Sequence, residues 1–167
     1  MPALGELFSV LERHKVDFVV IGGMAGLAHG SSYPSFDLDI AYARDRTNID
    51  RLVAALTEIR VSLRGAPKDL PFQLDARTIE NGANFTFTTR FGDLDVLGEV
   101  ARIRSYEELH RDAETKRIAG HEVRVASIDH LIAMKRAANR PKDQRMLEDY
   151  IVIADEQQRL EGETQSE

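Results

Sequence analysis

The sequence predicts a domain of the α/β (α+β) class, with a mixed β-sheet flanked by helices and two helices at its C-terminal end. Three observations carry that expectation. DFVVIGG (17–23) is a β-rich run stopped by two glycines and followed at once by a helix-like segment. ANFTFTTR (83–90) and DLDVLGEV (93–100) alternate or run apolar like strands, on either side of a hairpin turn at Arg90-Phe91-Gly92. Segments with helical periodicity open and close the chain.

Taken in order, Leu4, Leu7, Phe8 and Leu11 recur at helical spacing across residues 3–14. After the strand DFVVIGG, MAGLAHG (24–30) suits a helix closed by Gly30. The loop SSYPS leads into the strand FDLDIAY (36–42), and TNIDRLVAAL (47–56) is a helix capped by Thr47 or Asn48. FQLDAR (72–77) reads as a strand ahead of the hairpin, and a helix is expected between the hairpin and HEVRVAS (121–127), itself a strand entered through the turn-like Ala-Gly. Ser127 caps a helix over 128–139, and a second runs from about Lys142 to Ala154, separated from it by Asn139-Arg140-Pro141. Residues 1–156 form one domain in this reading, and the polar residues 157–167 form a disordered tail.

The 167 residues suffice for one domain with a real core and not for two comfortable ones. With 43% hydrophobic and 30% charged residues, the composition is that of an ordinary globular protein. No apolar run approaches bilayer length, and the N-terminus lacks the basic-then-apolar pattern of a secretory signal. The absence of cysteine excludes disulfides and thiolate metal sites, and a cytoplasmic location is the default. A net charge of −6 argues against a protein that coats nucleic acid. One basic stretch, KRAANRPKDQR (135–145), stands apart and could hold a phosphate ligand.

The chemistry gathers around carboxylates. In FDLDIAY, Asp37 and Asp39 share one face of a strand, roughly 7 Å apart, while Leu38 and Ile40 face the core. Like charges so placed cost free energy unless a cation or solvent sits beside them. GDLDVLG (92–98) repeats the pattern with Asp93 and Asp95. If the two strands are neighbours, about 4.8 Å apart, three or four carboxylates converge. Oxygen ligands shared with phosphate describe Mg2+ better than zinc, and two such ions suit in-line phosphoryl or nucleotidyl displacement. IGGMAGLAHG adds a Gly-Gly turn whose backbone a phosphate can approach closely. His29 is expected to pack or cap the helix end, not to bind metal.

IGGMAGLAHG followed by SFDLDI and later LDVLG resembles the nucleotidyltransferase superfamily with the polymerase-beta-like fold; within it the likeness is to the small AbiEii-type toxins and related minimal enzymes. The resemblance spans roughly residues 16–153 and implies a nucleotidyltransferase fold. It also implies Mg2+-dependent transfer of a nucleoside monophosphate from an NTP to an acceptor hydroxyl on RNA such as tRNA, on a protein or on a small molecule. By that likeness Gly22 and Gly23 cradle the triphosphate, and Asp37, Asp39 and Asp95 hold the metal and carry catalysis. Ser35 touches phosphate, Lys135 meets the triphosphate, and Arg140, Lys142 and Asp143 line or brace the pocket. An antitoxin protein is the partner the toxin likeness implies, and no membrane is.

Many relatives carry an arginine and a threonine where this chain has Tyr33 and Ser35. Serine keeps a hydroxyl; tyrosine loses the charge and the bidentate fork of arginine. A catalytically inactive relative that binds a nucleotide or a partner therefore stands as the alternative, followed by an RNA-binding module built on the basic 135–145 face. By the blander reading of the same residues, Asp37 and Asp39 lie on a solvated sheet edge and the basic stretch on a solvated helix face. Phe85, Phe87 and Phe91 read as packing residues, and His110, His121 and His130 as surface groups.

Overall fold

A computed structural model describes residues 3–67 and 69–166. Seven strands form one mixed sheet in the order β3-β4-β5-β2-β1-β7-β6. They are β1 (Phe18–Ile21), β2 (Leu38–Tyr42), β3 (Ser62–Leu63), β4 (Asn84–Thr89), β5 (Gly92–Leu97), β6 (Glu114–Ile118) and β7 (His121–Val125). β2 runs parallel to β5 and β1 parallel to β7, and the other neighbours are antiparallel. The helices are α1 (Leu4–Arg13), α2 (Gly22–Ala28), α3 (Arg46–Glu58), α4 (Ala76–Gly82), α5 (Tyr106–Asp112), α6 (Ile128–Ala138) and α7 (Pro141–Gln165). Among the described residues no helix is long and apolar enough to cross a membrane.

Alternation along the strands separates two faces. Leu38, Ile40, Leu94, Val96 and Phe87 are fully buried on one of them. That face carries α1, whose Phe8 stacks on Phe18 with ring centroids 6.2 Å apart. It also carries α4, whose C-terminal Ala83 carbonyl accepts a hydrogen bond from the Tyr42 hydroxyl. The opposite face bears Asp39 and Asp95, with α2 set against it.

Several expected elements shift, each for a local reason. FQLDAR forms no strand: the Asp75 carboxylate accepts the Thr78 N–H and caps α4, while Phe72 packs on Phe85 and Phe87 instead of pleating. α3 begins one residue before Thr47, capped by Asp45 rather than by Thr47 or Asn48. Helix α2 starts directly at Gly22, so the two glycines belong to the helix and not to the strand. β3 and β6 are additional; β3 has two residues and β6 (ETKRI) is an exposed edge with little apolar alternation. α7 runs on to Gln165, because the polar residues after Ala154 are mostly strong helix formers. The Gln157 amide reaches the buried His29 ring, 3.1 Å away, and ties that extension to α2.

Asn48, displaced from the cap, is buried and performs a different task. Its side chain accepts the Asp17 N–H at 2.7 Å and donates to the carbonyls of Asp17 at 3.0 Å and Ala43 at 2.8 Å. It therefore stitches α3 to the end of the β1–β2 pair where β1 begins and β2 finishes. Asn48→Ala strands the Asp17 N–H and the Ala43 carbonyl, while the Asp17 carbonyl keeps the Ala43 N–H, and is expected to cost roughly 2–4 kcal/mol in urea denaturation.

Candidate active site

The parallel register of β2 on β5 sets Asp39 directly beside Asp95, with Leu38 beside Leu94 and Ile40 beside Val96. Register partners in a parallel pair point to the same face, so both carboxylates project from one side of the sheet. Asp37 lies just ahead of β2 and is exposed. Asp93 sits two residues before Asp95 on β5. The four carboxylates expected to converge are therefore neighbours in the fold.

The glycine turn completes one wall. Gly22 has φ +69, a backbone conformation that side chains disfavour, and a Cβ there would overlap the Asp39 carboxylate. A Cβ on Gly23 would come within 2.6 Å of the Ser35 hydroxyl oxygen. That hydroxyl in turn lies 3.5 Å from the Asp37 carbonyl. Backbone, Asp39 and Ser35 thus meet with no side chain between them. His29 packs as expected: it is buried, with Nε2 2.8 Å from the Ala126 carbonyl.

Charge dominates this pocket. Burial, then the charge and hydrogen bond of Asp95, then the charge of Asp37, push the Asp39 carboxyl up to about 7, with Lys135 acting in the opposite sense. Lys135 is held for this position by Asp143, whose Oδ1 accepts from its Nζ at 3.0 Å. Asp143 is fully buried and also takes the Arg140 backbone N–H and its Nε, the latter at 2.7 Å. Burial alone would raise the Asp143 pKa; hydrogen bonds from Arg140 and Lys135 outweigh it and hold the carboxyl down at about 2. Arg140, expected to line or brace the pocket and to bind nucleotide, has its guanidinium on Asp143, and Lys142 follows in the first turn of α7.

Arg64 has no counterpart in the sequence reading. From the end of β3 it donates to Asp95 Oδ1 at 2.7 Å and to the Phe87 carbonyl at 2.8 Å, and its Nε stands 3.3 Å from Asp93. Burial disfavours its charge, but the Asp95 hydrogen bond and the charges of Asp95, Asp93 and Asp37 raise its pKa above the ordinary value. Only the pairing of β3 on β4 reveals this role, and a two-residue strand leaves no periodic signal.

As the side chains stand, no group of three or more His, Cys, Asp or Glu among the described residues is set to hold a metal ion. The donor chemistry nevertheless fits a hard divalent cation: the carboxylates are oxygen-only, crowded, and in Asp39 driven toward protonation by burial and by the neighbouring Asp95 and Asp37. Asp39 and Asp95, with Asp37 at the rim, are the residues that would hold it.

The fold is the nucleotidyltransferase fold, as comparison with solved structures shows. No protein-family model and no curated protein matches the sequence. Solved structures do match. The antibiotic-resistance factor ANT(2'')-Ia is similar with a TM-score of 0.58 and 13% identity, over 92% of this chain and 82% of that one. The lincosamide antibiotic adenylyltransferase LnuA, solved with lincomycin bound, is similar with a TM-score of 0.58 and 12% identity, over 90% of this chain and 96% of that one. TM1012 from Thermotoga maritima, provisionally described as a nucleotidyltransferase, gives 0.56 and 16% over 89% of each chain.

Two consequences are measurable. The Asp39 carboxyl is ordinary in the unfolded chain and raised to about 7 when folded, so its proton stabilises the fold at acid pH and that contribution is lost as pH rises through 7. In EDTA, Asp39→Asn should therefore gain roughly 2 kcal/mol over wild type at pH 8 and almost nothing at pH 4, read by thermal melting. Asp143→Ala leaves Lys135 and Arg140 without their shared anion and should lose roughly 2–4 kcal/mol in urea denaturation at pH 7.

Proposed function

We propose that this protein transfers a nucleoside monophosphate from an NTP to an acceptor hydroxyl. The observation that carries the reading is Asp39 beside Asp95 across β2 and β5, under a glycine turn that admits no side chain. The similar structures support it at the level of the fold.

In this reading the Gly22-Gly23 backbone and the Ser35 hydroxyl border the triphosphate, and Lys135, oriented by Asp143, supplies a fixed positive charge toward it. Arg140 secures Asp143 and so acts on the nucleotide through Lys135. Asp37, Asp39 and Asp95 hold Mg2+, which when bound neutralises phosphate charge and makes the acceptor oxygen a better nucleophile. Asp95 accepts a hydrogen bond from the acceptor hydroxyl and orients it toward the α-phosphorus. The new bond joins acceptor oxygen to that phosphorus, the bond to the bridging oxygen breaks, pyrophosphate leaves, and the hydroxyl proton passes to solvent.

The acceptor belongs to the proposal as well. ANT(2'')-Ia has also been solved with adenylyl-2''-tobramycin, so a small polyhydroxylated acceptor is the first to try. The toxin likeness of the sequence makes tRNA or a protein side chain the next, with an antitoxin as partner and the cytoplasm as the place of action. Tyr33 and Ser35, in place of arginine and threonine, favour a second reading, in which the same pocket binds nucleotide without transfer.

Incubation with α-labelled NTPs, Mg2+ and a panel of aminoglycosides, lincosamides and tRNA should yield labelled acceptor and pyrophosphate. Asp39→Asn or Asp95→Asn should lower the rate by about 10³-fold or more. Undiminished labelling by Asp39→Asn would sink the reading; nucleotide binding without pyrophosphate release from wild type would favour the second.

A further inference from the structure

We infer that Arg64 is a positioning residue that competes with divalent cation for Asp95 and so sets the cation affinity of the site. The inference rests on the reading of Asp37, Asp39 and Asp95 as cation ligands.

Arg64 follows β3, the edge strand, and its side chain crosses β4 to reach Asp95 on β5. One nitrogen, Nη2, serves both the Phe87 carbonyl and Asp95 Oδ1. Nε is buried without a hydrogen bond, although Asp93 stands 3.3 Å away. The guanidinium is thus anchored by a backbone carbonyl and shared loosely between two carboxylates. With Arg64 30% and Asp95 21% exposed, the pair is partly screened by solvent and contributes little to stability. What the contact does control is the charge seen by anything approaching Asp95. A guanidinium at 2.7 Å occupies Asp95 Oδ1, one of the two carboxylate oxygens, and its charge repels a cation approaching that group. Cation binding at Asp95 therefore competes with Arg64, and Asp93 is placed to receive the guanidinium when it shifts. Lys135 is committed to Asp143, so among the described residues Arg64 is the cation paired directly with a candidate ligand.

The test is Mn2+ binding to the nucleotide-free protein at pH 8, followed by the EPR signal of free Mn2+. Arg64→Gln and Arg64→Met are both measured, so that one folded variant suffices, with folding checked by circular dichroism. Each should bind Mn2+ about 5- to 10-fold more tightly than wild type. Adding Asp95→Asn to Arg64→Gln should abolish the gain. Unchanged or weaker Mn2+ binding in the folded Arg64 variants overturns the inference, as does a gain that survives Asp95→Asn. The cation-site reading has a separate readout: Asp39→Asn should weaken Mn2+ binding. If it does and the Arg64 variants change nothing, only the Arg64 inference fails; if Asp39→Asn changes nothing either, the site reading fails with it.

Discussion

The constraint on which this molecule turns is the pairing of β2 with β5, which sets two aspartates side by side on one face of a sheet. Buried neighbours on those strands fix the register, since a slip of one residue would send Leu38, Ile40, Leu94 and Val96 to the wrong face. The apolar core thus holds in place a charge arrangement that the carboxylates themselves oppose. Gly22 must lack a side chain because Asp39 occupies that space.

Around this repulsion the fold sets cations on two flanks, by different means. Lys135 comes from a helix and is steered by Asp143, a buried anion that accepts a hydrogen bond from its ammonium. Arg64 comes from the far edge of the sheet and meets Asp95 directly. The result is a pocket with local charge of both signs inside an acidic protein, which suits a ligand that is itself polyanionic and arrives with metal.

Much of this was legible in the chain. Buried and part-exposed positions alternate through Leu38-Asp39-Ile40 and through DLDVLG, so the aspartates stand out against Leu38, Ile40, Leu94 and Val96. The hairpin at Arg90-Phe91 and the Ser127 cap are local signals and lie where local rules put them. What escaped depends on distant partners. Arg64 matters only because β3 pairs with β4, and FQLDAR lost its strand because Asp75 found a better use as a helix cap. Asn48 looked like a cap and became a buried brace, a role visible only once Asp17 and Ala43 are seen beside it. Polarity suggested a frayed tail, yet helix propensity and the Gln157 contact carry α7 onward.

The order in which these strands are made has its own consequence. β2 and β5 are parallel neighbours, and the chain between them must first lay down α3, β3, α4 and β4. Closing so long an excursion is entropically slow, whereas the β4–β5 hairpin and the β1–β2 pair are local and quick. The two aspartates therefore stay apart through early folding and are forced together when the halves of the sheet dock, so that mutual charge resists the closing step and not the earlier ones. Ionic strength and acidity should thus bear on the speed of folding at that late event, a kinetic imprint left by the carboxylates that the finished sheet crowds together.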